Sequence, residues 1–199
     1  MGKIYYVMGK SSSGKDTIFK ELLKKEELSL HKIVLYTTRP ARADERDGVQ
    51  YYFVDEKKLS ELQEDGRVIE MRVYHTVCGL WKYFTVDDEN INLEKNSYLS
   101  IGTLESFEKL KKYYGEEKII PVYVEVSDDI RLDRALKRER NQEKPQYEEM
   151  CRRFLADCSD FAEEKIKEAG IVHRFSNDGT IDECIQDITE FVLKKEKEL

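Results

Sequence analysis

The sequence has few cysteines, and their spacing does not match that of a metal or redox site. The four are Cys78, Cys151, Cys158 and Cys184. No two of them form a C-x-x-C pair, which disfavours a zinc site or a dithiol redox centre. The segment after the first methionine has no long apolar stretch and no small-residue cleavage site, so we expect no signal peptide. These absences predict a reduced, cytoplasmic protein in which the cysteines are packing residues.

Long apolar runs and an excess of basic residues are also missing. No apolar run approaches the ~20 residues of a membrane span, so we expect no membrane-spanning segment. The formal net charge is -7, which disfavours general binding to nucleic acid or to membrane surfaces, although a local basic pocket for a small anion stays compatible with it. With 199 residues, 40% of them hydrophobic, the chain is expected to form one compact domain, as a monomer or a homodimer.

Short apolar runs alternate with amphipathic helical patterns along the chain. The patterns predict strands at residues 4–8, 32–36, 51–54, 68–74, 82–85, 98–101, 119–126 and 171–175. They predict helices at residues 17–28, 55–65, 104–114, 128–140, 147–169 and 181–195. Strands that alternate with helices indicate βαβ units, and therefore an α/β fold with a parallel sheet flanked by helices. The strands between residues 51 and 85 are expected to form a small, mostly β insert.

Residues 9–17 read GKSSSGKDT and lie between a strand pattern and a helix pattern. Gly9, Gly14 and Lys15 have the spacing of a phosphate-binding loop. In such a loop, glycines let successive backbone N–H groups surround an anion, and the lysine reaches the β- and γ-phosphates of the nucleotide. The residues predicted to bind the nucleotide here are Gly9, Ser11, Ser12, Ser13, Gly14, Lys15, Asp16 and Thr17.

The residue after Lys15 departs from this motif, because a serine or threonine hydroxyl that reaches Mg²⁺ normally stands there. Here the residue is Asp16, and Thr17 offers a hydroxyl one position later. A carboxylate oxygen is a good Mg²⁺ ligand, directly or through water. An acid in the first turn of a helix also stabilises the helix dipole without binding a metal. The sequence leaves both interpretations of Asp16 open.

Residues 37–54 read TTRPARADERDGVQYYFV, which resembles the nucleotide-acceptor segment of the guanylate kinases. In that family a T-T-R-x-x-R pair of arginines precedes an acidic residue, a glycine and a tyrosine. The order of features is also similar, from phosphate-binding loop to arginine pair, β-rich insert and arginine-rich lid. The resemblance covers nearly the whole chain. It implies a P-loop NTPase-type core at residues 1–36 and 96–199, an acceptor-binding insert at about 37–95 and a lid at about 134–153.

The resemblance also implies roles for residues of the insert. Arg39 and Arg42 would bind the phosphate of the acceptor, since guanidinium groups bind phosphate oxygens in a two-point fashion. Glu45 would orient an arginine, and the hydroxyl of Tyr51 would reach the same phosphate. Glu70 falls where the family has a glutamate that accepts hydrogen bonds from the guanine edge.

The lid and the last strand carry further implied positions. In the family, two lid arginines close over the ATP phosphates, where they stabilise the charge of the transferring group. The candidates in this chain are Arg134, Arg138, Arg140, Arg152 and Arg153. The spacing favours Arg153 with either Arg138 or Arg140, and most of the others are expected to be surface charges. Asn177 and Asp178 match a family position near the adenine.

Two features depart from the family pattern. A tyrosine usually precedes the glycine at the position of Gly79, where this chain has Cys78, and Tyr83 is a candidate substitute. The strand after the insert usually ends in two aspartates, whereas residues 98–103 of this chain read YLSIGT and carry no acid. Thr103 therefore stands where an aspartate belongs in the acceptor site. We expect that Asp16 takes over the missing negative charge near Mg²⁺.

The resemblance implies an ATP-dependent, Mg²⁺-requiring kinase that phosphorylates GMP or dGMP, with small-molecule nucleotides as its binding partners. Lys15, Arg138, Arg140 and Arg153 are the predicted catalytic residues. The G-K-D loop and the acid-free strand also resemble the ribose 1,5-bisphosphate phosphokinases, so a sugar-phosphate acceptor is a competing prediction. A catalytically weak binding or regulatory domain is the third, and Lys15 and the lid arginines disfavour it.

Overall fold

The computed structural model describes residues 1–76 and 79–198. Val77, Cys78 and Leu199 lie outside the described residues, and with them the departure predicted at Cys78. Within the described part of the chain, no helix has both the length and the apolar character needed to cross a bilayer.

The central sheet has five parallel strands in the order β2-β7-β1-β8-β9. The strands are β1 (Ile4–Met8), β2 (Leu30–Lys32), β7 (Ser97–Ile101), β8 (Ile119–Glu125) and β9 (Arg174–Ser176). β1 lies in the middle and pairs in parallel with β7 and with β8. All of its residues are buried, as expected for a parallel strand covered on both faces. The carboxyl ends of β1 and β7 therefore meet at one edge of the sheet.

Helices cover both faces of this sheet, and the alternation of β1 separates two cores. Tyr5 and Val7 pack in a cluster with residues of α1 and α7. Ile4, Tyr6 and Met8 pack on the other face with residues of α3. The helices are α1 (Lys15–Lys24), α3 (Leu104–Tyr114), α4 (Asp128–Arg140), α5 (Tyr147–Asp160), α6 (Glu163–Glu168) and α7 (Ile181–Lys197). The predicted parallel sheet flanked by helices is confirmed.

A second sheet has four strands in the order β4-β3-β6-β5. Its strands are β3 (Tyr36–Thr37), β4 (Tyr52–Phe53), β5 (Val68–Thr76) and β6 (Gly79–Val86). Only β3 and β4 pair in parallel, and the other pairs are antiparallel. Helix α2 (Glu56–Glu64) packs Leu59 and Leu62 against Phe84 and Val86 of this sheet. The sheet thus has a small hydrophobic core of its own.

The structure corrects four predicted elements. The predicted strand at residues 171–175 begins later, and is Arg174–Ser176. The predicted strand at residues 32–36 is divided, because the chain leaves the central sheet after Lys32 and enters the second sheet at Tyr36. The predicted helix at residues 17–28 ends at Lys24 and is followed by a 3₁₀ turn at Glu26–Leu28. The predicted helix at residues 147–169 is two helices, α5 and α6, because the buried Phe161 leaves the helical path and stacks on Tyr123 in the core.

Candidate active site

A cavity of about 1300 Å³ lies between the phosphate-binding loop, the second sheet and α5. Its lining includes eight residues that the sequence singles out, namely Gly9, Ser11, Lys15, Asp16, Tyr51, Thr103, Arg152 and Arg153. Tyr83, the candidate substitute for the missing tyrosine, lines it as well. The fold therefore brings the loop, at residues 9–17, and Tyr51 of the predicted acceptor segment, at residues 37–54, to one space.

The loop between β1 and α1 is held in its conformation by Gly14 and by Asn177. Gly14 has a φ of 85° and caps α1, and a Cβ there would lie 2.6 Å from the side-chain nitrogen of Asn177. That nitrogen donates a 2.8 Å hydrogen bond to the carbonyl of Ser13. The hydroxyls of Ser12 and Ser13 are buried without a hydrogen-bond partner among the described residues. Buried hydroxyls of this kind are available to a bound anion.

Lys15 and Asp16 form the first turn of α1 at the floor of the cavity. The Lys15 side chain is 19% exposed, whereas that of Asp16 is 79% exposed. Their charged groups are 3.7 Å apart. The lysine ammonium lies at the positive end of the helix, so an anion placed there meets both a fixed charge and the helix N–H groups.

The residues present fit Mg²⁺ in the manner common for nucleotide-bound metal. Mg²⁺ retains several waters and takes one or two carboxylates together with substrate phosphates. Asp16 offers one exposed carboxylate beside Lys15 and lines the cavity. Among residues 1–76 and 79–198, no group of three or more His, Cys, Asp or Glu side chains forms a protein-only metal cage. A metal would therefore be held by Asp16 together with the nucleotide.

Arg39 and Glu45 form a buried, two-point ion pair beside Tyr83, which lines the cavity whereas the pair itself does not. Each of the two terminal nitrogens of Arg39 donates to one oxygen of Glu45 at 2.8 Å, and Arg39 is 4% exposed. The arginine lowers the pKa of the Glu45 carboxyl to about 2. Arg39 also donates from Nε to the Tyr83 hydroxyl at 3.0 Å. The pair and the tyrosine hydroxyl thus hold the guanidinium in one orientation.

Arg42 and Tyr51 flank this pair in different ways. The backbone N–H of Arg42 donates to Glu45 at 2.8 Å, and the Arg42 side chain is exposed. The ring of Tyr51 lies 5.5 Å from the Arg39 guanidinium carbon and meets the ring of Tyr83 edge-on at 5.4 Å. Burial raises the pKa of the Tyr51 hydroxyl, so it stays protonated at neutral pH and is able to donate a hydrogen bond.

Glu70 is fully enclosed, and Arg72 rather than Glu70 lines the cavity. The Glu70 side chain is 1% exposed. Its two oxygens accept hydrogen bonds from the hydroxyls of Thr85 and Ser106, both at 2.9 Å. Arg72 adds a third neighbour, with its Nη2 3.4 Å from one oxygen and its Nε 3.3 Å from the other. The contact of Glu70 with guanine stays a prediction, and in this conformation the carboxylate faces protein groups.

Arg131, which the sequence did not single out, is fully buried at the junction of α4, α5 and the loop. It donates to Asp128 at 2.7 Å and to the carbonyl of Ser11 at 3.3 Å. It also contacts Asp157 of α5 at 3.4 Å and stacks over the ring of Phe154 at 4.3 Å. Asp157 in turn accepts a 2.8 Å hydrogen bond from the backbone N–H of Ser11. The loop is therefore tied to both helices through one arginine.

The predicted lid arginines lie at different distances from the loop. Arg153 donates to the Ser11 hydroxyl at 3.5 Å and lines the cavity. The Arg138 and Arg140 side chains are exposed near the end of α4, outside the cavity lining. Arg134 donates to the carbonyl of Asn177 at 2.9 Å. Arg152 forms an exposed ion pair with Glu149.

The remaining predicted residues have structural contacts in this conformation. Asn177 is buried under the loop, and Asp178 accepts a hydrogen bond from the backbone of Ser127 at 2.8 Å. Thr103 caps α3. Gly79 begins β6 opposite Thr76. Their predicted contacts with adenine or with the acceptor are not tested by these positions.

Comparisons with known proteins agree on one family. The guanylate kinase family model matches residues 1–194. A guanylate kinase of Thermotoga maritima is 32% identical over 113 residues, which are 56% of this chain and 53% of that protein. One of Anaplasma phagocytophilum is 39% identical over 104 residues, which are 52% of this chain and 46% of that protein. The chain thus spans about half the length of the curated relatives it matches.

The fold has a counterpart among solved structures. A crystal structure of guanylate kinase from Anaplasma phagocytophilum superposes with a TM-score of 0.61 and 22% sequence identity. The alignment covers 98% of this chain and 86% of that one. At this level of identity the likeness concerns the fold.

Proposed function

The chain belongs to the guanylate kinase family, and from this premise we propose that it transfers the γ-phosphoryl group of ATP to GMP or dGMP. The products are ADP and the corresponding nucleoside diphosphate. One observation carries the proposal: Lys15 of the phosphate-binding loop and the Tyr51–Tyr83 pair beside Arg39 face a single cavity. A donor nucleotide and an acceptor phosphate bound at these two ends would meet within it.

The donor half of the site suits a nucleoside triphosphate. Backbone N–H groups of the loop and the start of α1 would bind the β- and γ-phosphates, and Lys15 would neutralise charge on the transferring group. Mg²⁺, held by Asp16 and the phosphates, would neutralise further phosphate charge. Arg153 lies beside the loop at Ser11. Arg138 and Arg140 would reach the phosphates only after the segment between α4 and α5 moves towards the loop.

The acceptor half suits a phosphate monoester. Arg39 is oriented by Glu45 and Tyr83, and Arg42 and the Tyr51 hydroxyl supply further donors. Positioning and charge stabilisation are the main contributions of a protein to phosphoryl transfer, because the transition state requires little covalent chemistry from it.

We further propose that the protein acts in the cytoplasm, which agrees with the unpaired state of Cys151, Cys158 and Cys184.

A coupled assay of ADP release tests the proposal across acceptors. The panel is GMP, dGMP, AMP, UMP, CMP and ribose 1,5-bisphosphate, each with saturating ATP and Mg²⁺. We expect GMP and dGMP to give the highest kcat/KM. Turnover of ribose 1,5-bisphosphate without turnover of GMP would replace the nucleotide by a sugar phosphate as acceptor. Binding of nucleotides with no turnover of any acceptor would indicate a regulatory or binding domain.

A further inference from the structure

Ser11 joins the phosphate-binding loop to α4 and α5 through all three of its polar groups. Its backbone N–H donates to Oδ2 of Asp157 at 2.8 Å, and its carbonyl oxygen accepts from Nη1 of Arg131 at 3.3 Å. Its hydroxyl accepts from Nη2 of Arg153 at 3.5 Å. Ser11, Arg153 and Asp157 all line the cavity. One residue of the loop is therefore bound by the helix that carries a proposed catalytic arginine.

Asp157, which the sequence motifs did not single out, follows Arg153 by one turn of α5. Residues four positions apart are neighbours on one face of a helix. The 3.5 Å hydrogen bond of Arg153 to Ser11 is long and holds that exposed side chain weakly. The stronger tie between α5 and the loop is the bond that Asp157 accepts. The place of Arg153 at the loop therefore depends on Asp157.

Arg131 fixes the carboxylate of Asp157. It is fully buried, and its Nη1 lies 3.4 Å from Oδ2 of Asp157, the same oxygen that accepts from Ser11. The ring of Phe154, also on α5, lies 4.3 Å from the guanidinium carbon of Arg131. A group whose neighbours are fixed by packing and hydrogen bonds holds its own partner in a defined geometry. The pair of Arg131 and Asp157 therefore docks α5 on the loop in one position.

A carboxylate beside a phosphate-binding loop allows two interpretations. It either competes with phosphate for the N–H of Ser11, or it keeps that N–H and leaves the phosphates to the rest of the loop. Burial favours the second, because Asp157 is 16% exposed and its displacement would leave the fully buried Arg131 with one partner fewer. The hydroxyls of Ser12 and Ser13, by contrast, have no hydrogen-bond partner within the described ranges and are available to phosphate.

We propose that Asp157 is a positioning residue for phosphoryl transfer, which acts by holding Arg153 of the same helix beside the donor phosphates. The proposal rests on the proposed function, in which Arg153 stabilises the charge of the transferring group. Asp157 itself touches neither the nucleotide nor the metal. A displacement of about 1 Å at a catalytic group is enough to slow a reaction strongly. Loss of Asp157 therefore slows the transfer and changes the binding of ATP and GMP little.

Two substitutions separate the hydrogen bond of Asp157 from its charge. Asp157→Ala removes the acceptor for the Ser11 N–H, whereas the amide oxygen of Asp157→Asn accepts the same bond without a charge. We expect Asp157→Ala to lower kcat by about 10- to 100-fold, with the KM values for ATP and GMP within about twofold of wild type. Asp157→Asn should retain kcat within about threefold. Glu148→Ala, which removes an exposed acid of the same helix outside the cavity lining, is the control and should retain the wild-type kcat.

The other interpretations give different kinetic patterns. A carboxylate that competes with phosphate would weaken ATP binding through its charge, so a lower KM for ATP in Asp157→Asn would overturn the proposal. A wild-type kcat in Asp157→Ala, with only a lower melting temperature, would show a purely structural role and would also overturn it. Arg131 keeps its 2.7 Å bond to Asp128 in these variants, so we expect both to fold.

A double-mutant cycle tests whether Asp157 acts through Arg153. In the Arg153→Ala background, Asp157→Ala should change kcat by no more than about twofold, because the group that it positions is gone. Losses in kcat that multiply fully in the double variant would show that the two residues act independently, against the proposal.

Amide hydrogen exchange at Ser11, followed by NMR, tests the contact without catalysis. Exchange should be about 2- to 13-fold faster in Asp157→Ala, as for the loss of one hydrogen bond, and close to wild type in Asp157→Asn. Unchanged exchange in Asp157→Ala contradicts the inference alone, as does GMP turnover with a wild-type kcat in that variant. Absence of GMP turnover by the wild-type protein contradicts the proposed function and the inference together.

Discussion

Lys15 begins α1 with its side chain largely buried at the floor of the cavity. Its position at a helix start, outside either core cluster, allows its removal without loss of packing. Lys15→Ala should lower kcat by at least ~10²-fold, the scale for removing one group aimed at developing charge. Lys20→Ala, at an exposed position of the same helix, should leave kcat unchanged. Near-normal activity in a folded Lys15→Ala protein, judged by its melting temperature, would contradict the assignment of the loop.

Substitutions of Asp16 test whether its carboxylate supplies the negative charge near Mg²⁺ that the end of β7 lacks. Asp16→Asn keeps the shape of the side chain but removes its charge. We expect a higher Mg²⁺ requirement, lower turnover at low Mg²⁺ and partial recovery at high Mg²⁺. Asp16→Ser should not recover fully, because Gly102 and Thr103 supply no acid.

The alternative for Asp16 has a different signature. An acid that only stabilises the helix dipole contributes about 0.3–1 kcal/mol to the free energy of unfolding. Its loss would lower the melting temperature slightly and leave the Mg²⁺ titration unchanged. Superimposable Mg²⁺ titrations of wild type and Asp16→Asn would therefore exclude the metal role.

Substitutions of Arg39 and Arg42 are expected to raise the KM for the acceptor far more than the KM for ATP. Only Arg39 is also expected to stabilise the fold. Each substitution to alanine removes a charge-assisted phosphate contact of about 1.5–3 kcal/mol, so the KM for the acceptor should rise. Arg39→Ala should also lower the melting temperature, because it leaves Glu45 without its ion-pair partner. Arg42→Ala should not lower the melting temperature, because the Arg42 side chain is exposed. Steady-state kinetics give the KM for the acceptor and the KM for ATP in each variant. An equal rise in both would contradict the assignment of these arginines to the acceptor site.

At the scale of elements, α4, α5 and the loop are joined through Arg131. Arg131→Ala leaves Asp157 beside the loop without its cation and should lower the free energy of unfolding by about 2–3 kcal/mol. Lys137→Ala on the same helix removes an exposed pair with Asp133 and should cost about 0.2–1 kcal/mol. Urea unfolding measures both. Equal losses in the two variants would show that the buried contacts of Arg131 do not stabilise this junction.

The pattern of apolar residues predicted β1, β7 and β8, the inner strands of the central sheet, because these strands are mostly buried. It did not reveal that residues 32–36 pass from one sheet to the other, since Ile33, Val34 and Leu35 continue the apolar pattern between the two strands and nothing local marks the transfer. The break between α5 and α6 was also missed. Phe161 fits a helical pattern, and only its stacking on Tyr123, a distant residue, ends the helix.

The site was predicted where a motif has fixed spacing, as for Gly9, Gly14 and Lys15. Arg72 and Arg131 have no such spacing, and their importance arises from burial beside acids that the fold brings close. The sequence alone does not distinguish a buried arginine from an exposed one. The pair of Arg131 with Asp128, three residues apart on one helix, was the one local signal available.

In the molecule as a whole, each of the two sheets positions residues for a different half of the proposed site. The central sheet positions the loop and Lys15 at its carboxyl edge, and the second sheet contributes Arg72 and Tyr83 to the same cavity, with the buried Arg39 bonded to Tyr83. The cavity lining carries five basic and six acidic side chains. Anion binding there therefore depends on local contacts with Lys15 and the N–H groups of the loop, and not on an excess of positive charge. The boundaries of insert and lid given above stay predictions.

The central claim is that the γ-phosphoryl group passes from ATP to GMP in this cavity, and the most direct test follows that group. The protein is incubated with Mg²⁺, GMP and ATP radiolabelled at the γ-phosphate, and the products are separated by ion exchange. The account predicts labelled GDP formed one for one with ADP, and none above background with Lys15→Ala. Label released as inorganic phosphate, or ADP formed without labelled GDP, would contradict it.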